Sequence, residues 1–142
     1  MRIAEILHRK GSAVSTVRSV DTVDSAIHKL SEDRIGALVV LDRWGKFVGV
    51  LSERDILYAL DRHGKSILVH RVEEMMNPDV TTCSPNDRAD QVMALMTAHR
   101  VRHLPVLDHG QLSGIVSIGD LVKHRLQEME QEASVLREIG TV

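Results

Sequence analysis

Two short stretches of this 142-residue chain carry the same polar pair at the same spacing, Ser52-Glu53-Arg54-Asp55 and Ser117-Ile118-Gly119-Asp120. An aspartate three residues after a serine has two readings. As a ligand site, its carboxylate can accept hydrogen bonds from two hydroxyl groups at once. The serine, at a helix N-terminus, then stands where backbone N–H groups point outward and favour an anion or a polar ligand. As local structure, Ser-x-x-Asp is a capping-box-like helix start. The two readings are compatible, because a carboxylate can cap its own turn while no ligand is bound.

Other side chains extend or limit this chemistry. Arg102 offers a permanent cation whose planar donor fork suits phosphate oxygens, and His103 adds a second donor beside it. The bland reading of Arg102 is a solvated or salt-bridged surface arginine. Arg54 could likewise reach a ligand or hold a surface ion pair. His99 and His103 lie four apart but lack the H-E-x-x-H pattern, and His8, His28, His63, His70, His109 and His124 are scattered, so no metal site is expected. Cys83 is the only cysteine, which excludes an intramolecular disulfide and a thiolate cluster; it reads as a small buried hydrophobe rather than a reactive thiol. No G-x-S-x-G, Walker A or G-x-G-x-x-G pattern occurs, so the expectation is that the chain is not an enzyme.

The elements that position these residues are written twice. Asp21 and Asp87 stand 66 positions apart, and Val14/Val80, Thr16/Thr82, Asp24/Asp90, Arg34/Arg100, Leu38/Leu104 and Val40-Leu41-Asp42/Val106-Leu107-Asp108 keep that register. One residue drops out near Trp44. Gly45, Gly49, Ser52 and Asp55 then match Gly110, Gly114, Ser117 and Asp120. Such agreement over so long a span marks an internal repeat.

Each copy reads as a short strand (Val14–Val17, Val80–Cys83), a helix N-capped by Asp21 or Asp87, a strand, a Gly turn, a third strand and a second helix starting at the Ser-x-x-Asp. Val23, Ala26, Ile27 and Leu30, and in the second copy Ala89, Val92, Met93 and Met96, share one helical face. Ile3, Ile6 and Leu7 predict a short leading helix, matched by Val72–Met76 before the second copy. Beyond Asp120 a long helix is expected. Its Val122, Leu126, Met129, Ala133 and Leu136 form a stripe of about two heptads, either packed on the parent domain or forming a dimer contact. Neither copy alone can bury a stable core, so the two should pack as one unit. The fold class is therefore α/β (α+β): two pseudo-symmetric repeats, each a small three-stranded sheet with flanking helices, packed face to face, plus a C-terminal helix. The expected divisions are 1–63 (first repeat with its leading helix), 64–124 (second repeat) and 125–142 (helical extension).

Composition narrows the function. The chain is 43% hydrophobic and 27% charged, as in globular domains. A formal net charge of -2 gives no signal for nucleic acid, and three aromatics (Trp44, Phe47, Tyr58) cannot build a base-stacking surface. No signal-peptide core or apolar run long enough for a bilayer is present, so the expected location is the cytoplasm.

Gly49-Val50-Leu51-Ser52-Glu53-Arg54-Asp55 and Gly114-Ile115-Val116-Ser117-Ile118-Gly119-Asp120 resemble the G-h-h-S/T-x-x-D ending of CBS domains. Arg100–Asp108 resembles the family's second strand, and Met75–Thr82 its approach to a repeat. The resemblance covers nearly the whole chain and is closest to bacterial proteins made of one CBS pair, or Bateman module. It implies two clefts that bind adenosine-containing ligands: AMP foremost, with ATP, NAD(H) or S-adenosylmethionine as further candidates. Each Asp would take the ribose hydroxyls. Carried over residue by residue, cleft one would use Ser52 and Asp55 with Val80, Thr81, Arg102 and His103. Cleft two would use Ser117 and Asp120 with Ala13, Ser15, Ile35 and Gly36. Copy one has Gly36 and Ala37 where copy two has Arg102 and His103, so cleft one should hold phosphate better. In cleft two, backbone N–H groups, Lys10 or a partner chain would have to substitute. The implied function is a regulatory nucleotide sensor, a homodimer with a possible protein target. The alternatives are a partner-binding CBS pair with empty clefts and, behind it, a weak enzyme acting on nucleotides.

Overall fold

Ile3, Ile6 and Leu7 put an apolar face on successive turns of helix α1 (Ile3–Lys10), and all three are buried. The computed structural model describes residues 1–11 and 13–140. After α1 come β1 (Thr16–Arg18), α2 (Val23–Asp33), β2 (Ala37–Leu41), β3 (Phe47–Ser52) and α3 (Glu53–His63). A 3-10 turn (Gly64–Val69) and the short α4 (Val72–Met75) lead to α5 (Ala89–His99), β4 (His103–Asp108), β5 (Gln111–Ser117) and α6 (Ile118–Gly140).

The doubling is visible in backbone detail. α2 and α5 both end on an arginine in the left-handed conformation, Arg34 and Arg100, at matched positions. Both hairpins shift register at the same place, between Val40 and Leu41 and between Val106 and Leu107. Such a bulge inserts one residue and bends the strand. The His109-Gly110 turn of the second hairpin has positive φ at both residues (50° and 81°), as a two-residue type I′ turn needs.

The two sheets differ in one strand. The first has the order β1-β2-β3, with β1 parallel to β2; the second contains β4 and β5 only. The strand expected over Val80–Cys83 is reduced to a single parallel bridge, Cys83 to Val106. Proline explains the loss. In the first copy Val39 N–H donates to Ser15 O at 3.2 Å, and Ser19 N–H to Leu41 O at 2.8 Å. The residues matched to Val39 and Ser19 are Pro105 and Pro85, which have no N–H to give. The bonds that survive, Cys83 N–H to Pro105 O (3.0 Å) and Leu107 N–H to Cys83 O (2.8 Å), hold the bridge.

Asp21 and Asp87 do not cap the helices. Thr22 is the N-cap of α2, its Oγ1 accepting from Ser25 N–H at 3.1 Å, and Arg88 holds that place in α5 without a side-chain cap. The two aspartates reach back instead, accepting from Arg18 N–H (2.9 Å) and Ser84 N–H (2.8 Å). They close the turn before the helix, which leaves the cap to the next residue.

Among the described residues there are two apolar cores, and each is closed by a leader helix. Val17, Val23, Ala26, Leu30, Leu38, Val40, Leu51 and Ile56 form the first with Ile67 and Val72 from the segment that follows α3. Cys83, Val92, Met96, Leu104, Val106, Val116 and Leu121 form the second with Ile3, Ile6 and Leu7 of α1. The leading helix, grouped by sequence with the first repeat, thus packs on the second core. The docking is reciprocal in form: Ile3 N–H bonds Asp87 O (2.9 Å), as Val72 N–H bonds Asp21 O (2.8 Å). Isolated bridges join Arg2 to Arg88 and Arg71 to Thr22.

α6 buries Leu121 and His124, and His124 Nε2 lies 2.8 Å from Glu128 Oε1. The heptad stripe faces away from the domain: Val122, Leu126, Met129 and Leu136 are all exposed. Packing on the parent domain is therefore not what these residues do.

Candidate functional site

Both Ser-x-x-Asp segments stand where the second strand of a hairpin, β3 or β5, runs into a helix. Val50 and Leu51 are buried β3 residues, so Ser52 is carried to the sheet's edge and becomes the N-cap of α3. Asp55 Oδ2 accepts from Ser52 N–H and Ser52 Oγ, both at 2.9 Å, and Asp55 N–H donates to Ser52 Oγ at 3.2 Å. This is a reciprocal capping box, and it engages one carboxylate oxygen only. Among the described residues nothing donates to Oδ1, which remains an acceptor for a ligand. The capping and ligand-binding readings coexist in this geometry.

The second copy repeats the arrangement and adds a cation. Asp120 Oδ2 accepts from Ser117 N–H at 2.8 Å, Asp120 N–H donates to Ser117 Oγ at 3.1 Å, and Lys10 Nζ stands 2.6 Å from the same carboxylate oxygen. Lys10 also donates to Ile115 O at 2.9 Å. Burial works to raise the Asp120 pKa, but the hydrogen bonds from Lys10 and from the Ser117 backbone outweigh it and hold the carboxyl below its ordinary value. A cavity of about 180 Å³ adjoins this pair, lined by Ile6, Arg9, Lys10, Asp120, Lys123, His124 and Gln127.

His103 begins β4 and pairs in register with Ser117 of β5. Burial pushes its imidazole pKa down, and the charges of Lys10 and Arg102 act in the same direction, against Asp120 and Glu53. Lys10 and Asp120 at the second helix start and Glu53 at the first thus all act on His103, which ties the two Ser-x-x-Asp turns electrostatically. Arg102 is exposed, and its guanidinium makes no hydrogen bond or ion pair among the described residues. The salt-bridged reading of Arg102 is thereby removed. Arg54 too is exposed and forms no ion pair among the described residues.

The remaining sequence-derived residues are placed less tightly. Val80 and Thr81 are half-buried in the extended stretch before Cys83, and Ala13 is exposed. Ser15 is half-buried, with Oγ donating to Asp33 Oδ2 at 2.7 Å. Ile35 packs against the first core. At Gly36 a β-carbon would stand 2.8 Å from Glu53 Oε1, and Gly36 O accepts from Glu53 N–H at 2.9 Å. Among the described residues, no hydrogen bond or ion pair joins Asp55 to Arg102 or His103, or Asp120 to Ser15. Glu53, which points at Gly36 and acts on His103, is the residue that sequence reasoning passed over. Its one signal was its position, first in the helix after Ser52. No group of three or more His, Cys, Asp or Glu suited to a metal occurs among the described residues, and no helix there is long and apolar enough to cross a membrane.

Fold and site together define a class: a tandem α/β repeat module with a capped Ser-x-x-Asp turn opening the last helix of each copy. The chain belongs to the CBS-domain family, whose model matches residues 3–62 and 72–127. It is similar to the crystal structure of a CBS-domain containing protein from Agrobacterium tumefaciens, with a TM-score of 0.83 and 40% identity over 87% of this chain and 92% of that one. It is also similar to the CBS domain pair of protein MJ0100, solved with 5-methylthioadenosine and S-adenosyl-L-methionine (TM-score 0.78, 26% identity, 90% and 98% covered). CBSX2, solved in complex with AMP, gives a TM-score of 0.76 at 25% identity, again over 90% and 98%.

Proposed function

We propose that this chain is a regulatory module, not an enzyme, which binds an adenine nucleotide in two clefts between its repeats. The observation that carries this reading is the free Oδ1 of Asp55 on an otherwise saturated capping box, an acceptor held rigid at a helix start and available to a ribose hydroxyl. The AMP complex of CBSX2 and the S-adenosyl-L-methionine complex of MJ0100 support an adenosine-containing ligand, with AMP first and ATP or NAD(H) as further candidates. Cleft one comprises Ser52, Asp55, Val80, Thr81, Arg102 and His103, with the unpaired Arg102 directed to phosphate. Cleft two comprises Ser117, Asp120, Ala13, Ser15, Ile35 and Gly36. The module acts in the cytoplasm as a homodimer, through the exposed stripe of α6. Ligand binding regulates only if it favours one packing of the repeats or subunits over another.

A thermal-shift screen with AMP, ATP, NADH and S-adenosylmethionine tests this. A binder gains stability as ligand exceeds its dissociation constant. A rise with at least one of the four is expected, and a flat response to all would overturn the sensor reading in favour of a partner-binding module with empty clefts. Titration calorimetry of Arg102→Ala with AMP tests the phosphate assignment, which an unchanged affinity would remove.

A further inference from the structure

Where the second repeat has Arg102 and His103, the first has Gly36 and Ala37, so the β2 strand brings no cation to cleft two. A cation arrives from elsewhere in the chain. Lys10 bonds Asp120 Oδ2 at 2.6 Å and Ile115 O at 2.9 Å. An ammonium has three donors, and among the described residues the third is unclaimed. The Lys10 side chain is 30% exposed, so that donor is within reach of a ligand.

The placement is built into the packing. Ile3, Ile6 and Leu7 anchor α1 in the second core, and Gly114 leaves the space that Leu7 occupies. Lys10, one turn beyond Leu7, is thereby delivered to the start of α6. The second leader ends differently. Met76 meets Gly49 as Leu7 meets Gly114, but three residues beyond Met76 stands Asp79, and Pro78 prevents α4 from continuing that far. The two proposed clefts would thus draw their cations from different places: Arg102, just before β4, for the first and Lys10, at the end of α1, for the second.

The cavity beside Asp120 carries three permanent cations, Arg9, Lys10 and Lys123, against the one carboxylate. At about 180 Å³ it is smaller than the ~300 Å³ or more of small-molecule sites. Of the cleft-two residues Asp120 alone lines it, so it adds positive charge beside that carboxylate and is not itself the nucleotide site.

We propose that Lys10 is the phosphate-binding, ligand-selecting residue of cleft two, accepting adenine nucleotides and disfavouring the nucleoside. The proposal rests on the reading of Asp120 as the ribose acceptor. Both donors on Asp120 use Oδ2, so a ribose hydroxyl can take Oδ1 while Lys10 stays in place, but a nucleoside leaves the third ammonium donor without a partner. A nucleotide supplies a phosphate oxygen to that donor, and the added charge-assisted hydrogen bond is the source of the preference.

The test is an NMR titration of the full chain with AMP and with adenosine, read at the backbone amides of residues 117–120. The wild type should bind AMP more tightly than adenosine there. Lys10→Met should weaken AMP by about tenfold or more, the worth of one charge-assisted hydrogen bond, while adenosine binds as before or tighter. Lys10→Arg should keep the preference for AMP. Lys10→Gln, which can still donate to Asp120 but carries no charge, supplies the same readout if the methionine variant folds poorly. Asp120→Asn should weaken both ligands. If Asp120→Asn does so and the lysine variants leave the AMP-to-adenosine ratio unchanged, Lys10 loses this role and the cleft stands. If Asp120→Asn affects neither ligand, or neither binds the wild type, the cleft reading falls and the role of Lys10 with it.

Discussion

Leu7 lies over the backbone of Gly114 so closely that a β-carbon there would stand 2.8 Å from Leu7 Cδ2, well inside the ~3.5–4.0 Å optimum for carbon pairs. The glycine of the G-h-h-S-x-x-D pattern is therefore a docking surface for a leader helix. At Gly49 the same device meets harder atoms: the obstacle is Asn77 O at 2.7 Å, with Met76 Sδ at 3.0 Å.

This difference orders two substitutions. In Gly114→Ala the end of a leucine side chain can turn aside. In Gly49→Ala the obstacle is backbone, fixed by paired hydrogen bonds between Val50 and Asn77 (3.1 and 2.9 Å). Overpacking costs roughly 1–3 kcal/mol. Urea denaturation should put Gly114→Ala toward the lower end of that range and Gly49→Ala toward the upper. Equal losses, or none, would show that the leaders are not held this tightly.

Acid should destabilise the fold in two stages. His103 has a depressed pKa, so the unfolded chain takes up its proton first, and stability begins to fall as pH drops below the ordinary histidine value of about 6.5. Asp120 is also depressed, and its contribution is complete above the ordinary aspartate value of about 3.9 and is lost as pH falls through the folded pKa. Urea melts from about pH 7 to pH 3 should show both losses. His103→Gln should remove the upper one, and Asp120→Asn should shrink the lower one, to which Glu74 and Glu128, also held below their ordinary values by hydrogen bonds, contribute as well. A wild-type profile that both variants reproduce would refute the assignments. Phosphate bound near His103 should also raise its pKa, so AMP binding near pH 6 should take up protons, measurable as a buffer-dependent heat.

Cys83 should be inert in the folded protein. Burial, with Asp87 adding, pushes its thiol pKa up to about 12, so almost no thiolate exists at pH 8. A disulfide reagent should label it no faster than the chain opens, and at the full rate of a free thiol in urea. Rapid labelling under native conditions would contradict the burial of this side chain.

What the sequence disclosed was the repetition, because side-chain character survives at the positions that fold each copy alike: apolar residues on one face of α2 and α5, and identical residues at Arg34/Arg100 and in the two Ser-x-x-Asp turns. The differences were harder to read. Pro85 and Pro105 cost the second sheet a strand only through their partners, since each removes an N–H from a bond whose acceptor lies elsewhere in the chain. Asp21 looked like a helix cap because Asp caps helices, yet the carboxylate satisfies the turn behind it and Thr22 takes the cap. The packing of α1 on the second core is not written in α1, since an apolar face does not name its partner. The Lys10–Asp120 pair, separated by nearly the whole chain, follows from that packing alone.

The last prediction concerns α6. Its buried side is satisfied by Leu121 and His124, and its apolar residues Val122 (45% exposed), Leu126 (56%), Met129 (50%), Leu136 (68%) and Ile139 (65%) remain in water. Single exposed apolar residues are ordinary, but a run along one helix is not. The first four keep the heptad spacing and Ile139 lies one position off it, while Arg125 pairs with Glu128 (3.0 Å) beside the stripe, so charge flanks the apolar seam. A second copy of α6 packed along the seam would cover these residues on both chains at once, as a two-fold interface requires. Covering a leucine side chain fully is worth about 1.5–3 kcal/mol, so replacing two of the central residues should tip the balance to monomer. Sedimentation velocity should find the wild type dimeric at micromolar concentration and Leu126→Lys/Met129→Lys monomeric, with unchanged circular dichroism. If the wild type sediments as a monomer, or the double variant remains a dimer, the seam is not the interface. AMP binding by the monomeric variant should persist, because both proposed clefts lie within one chain.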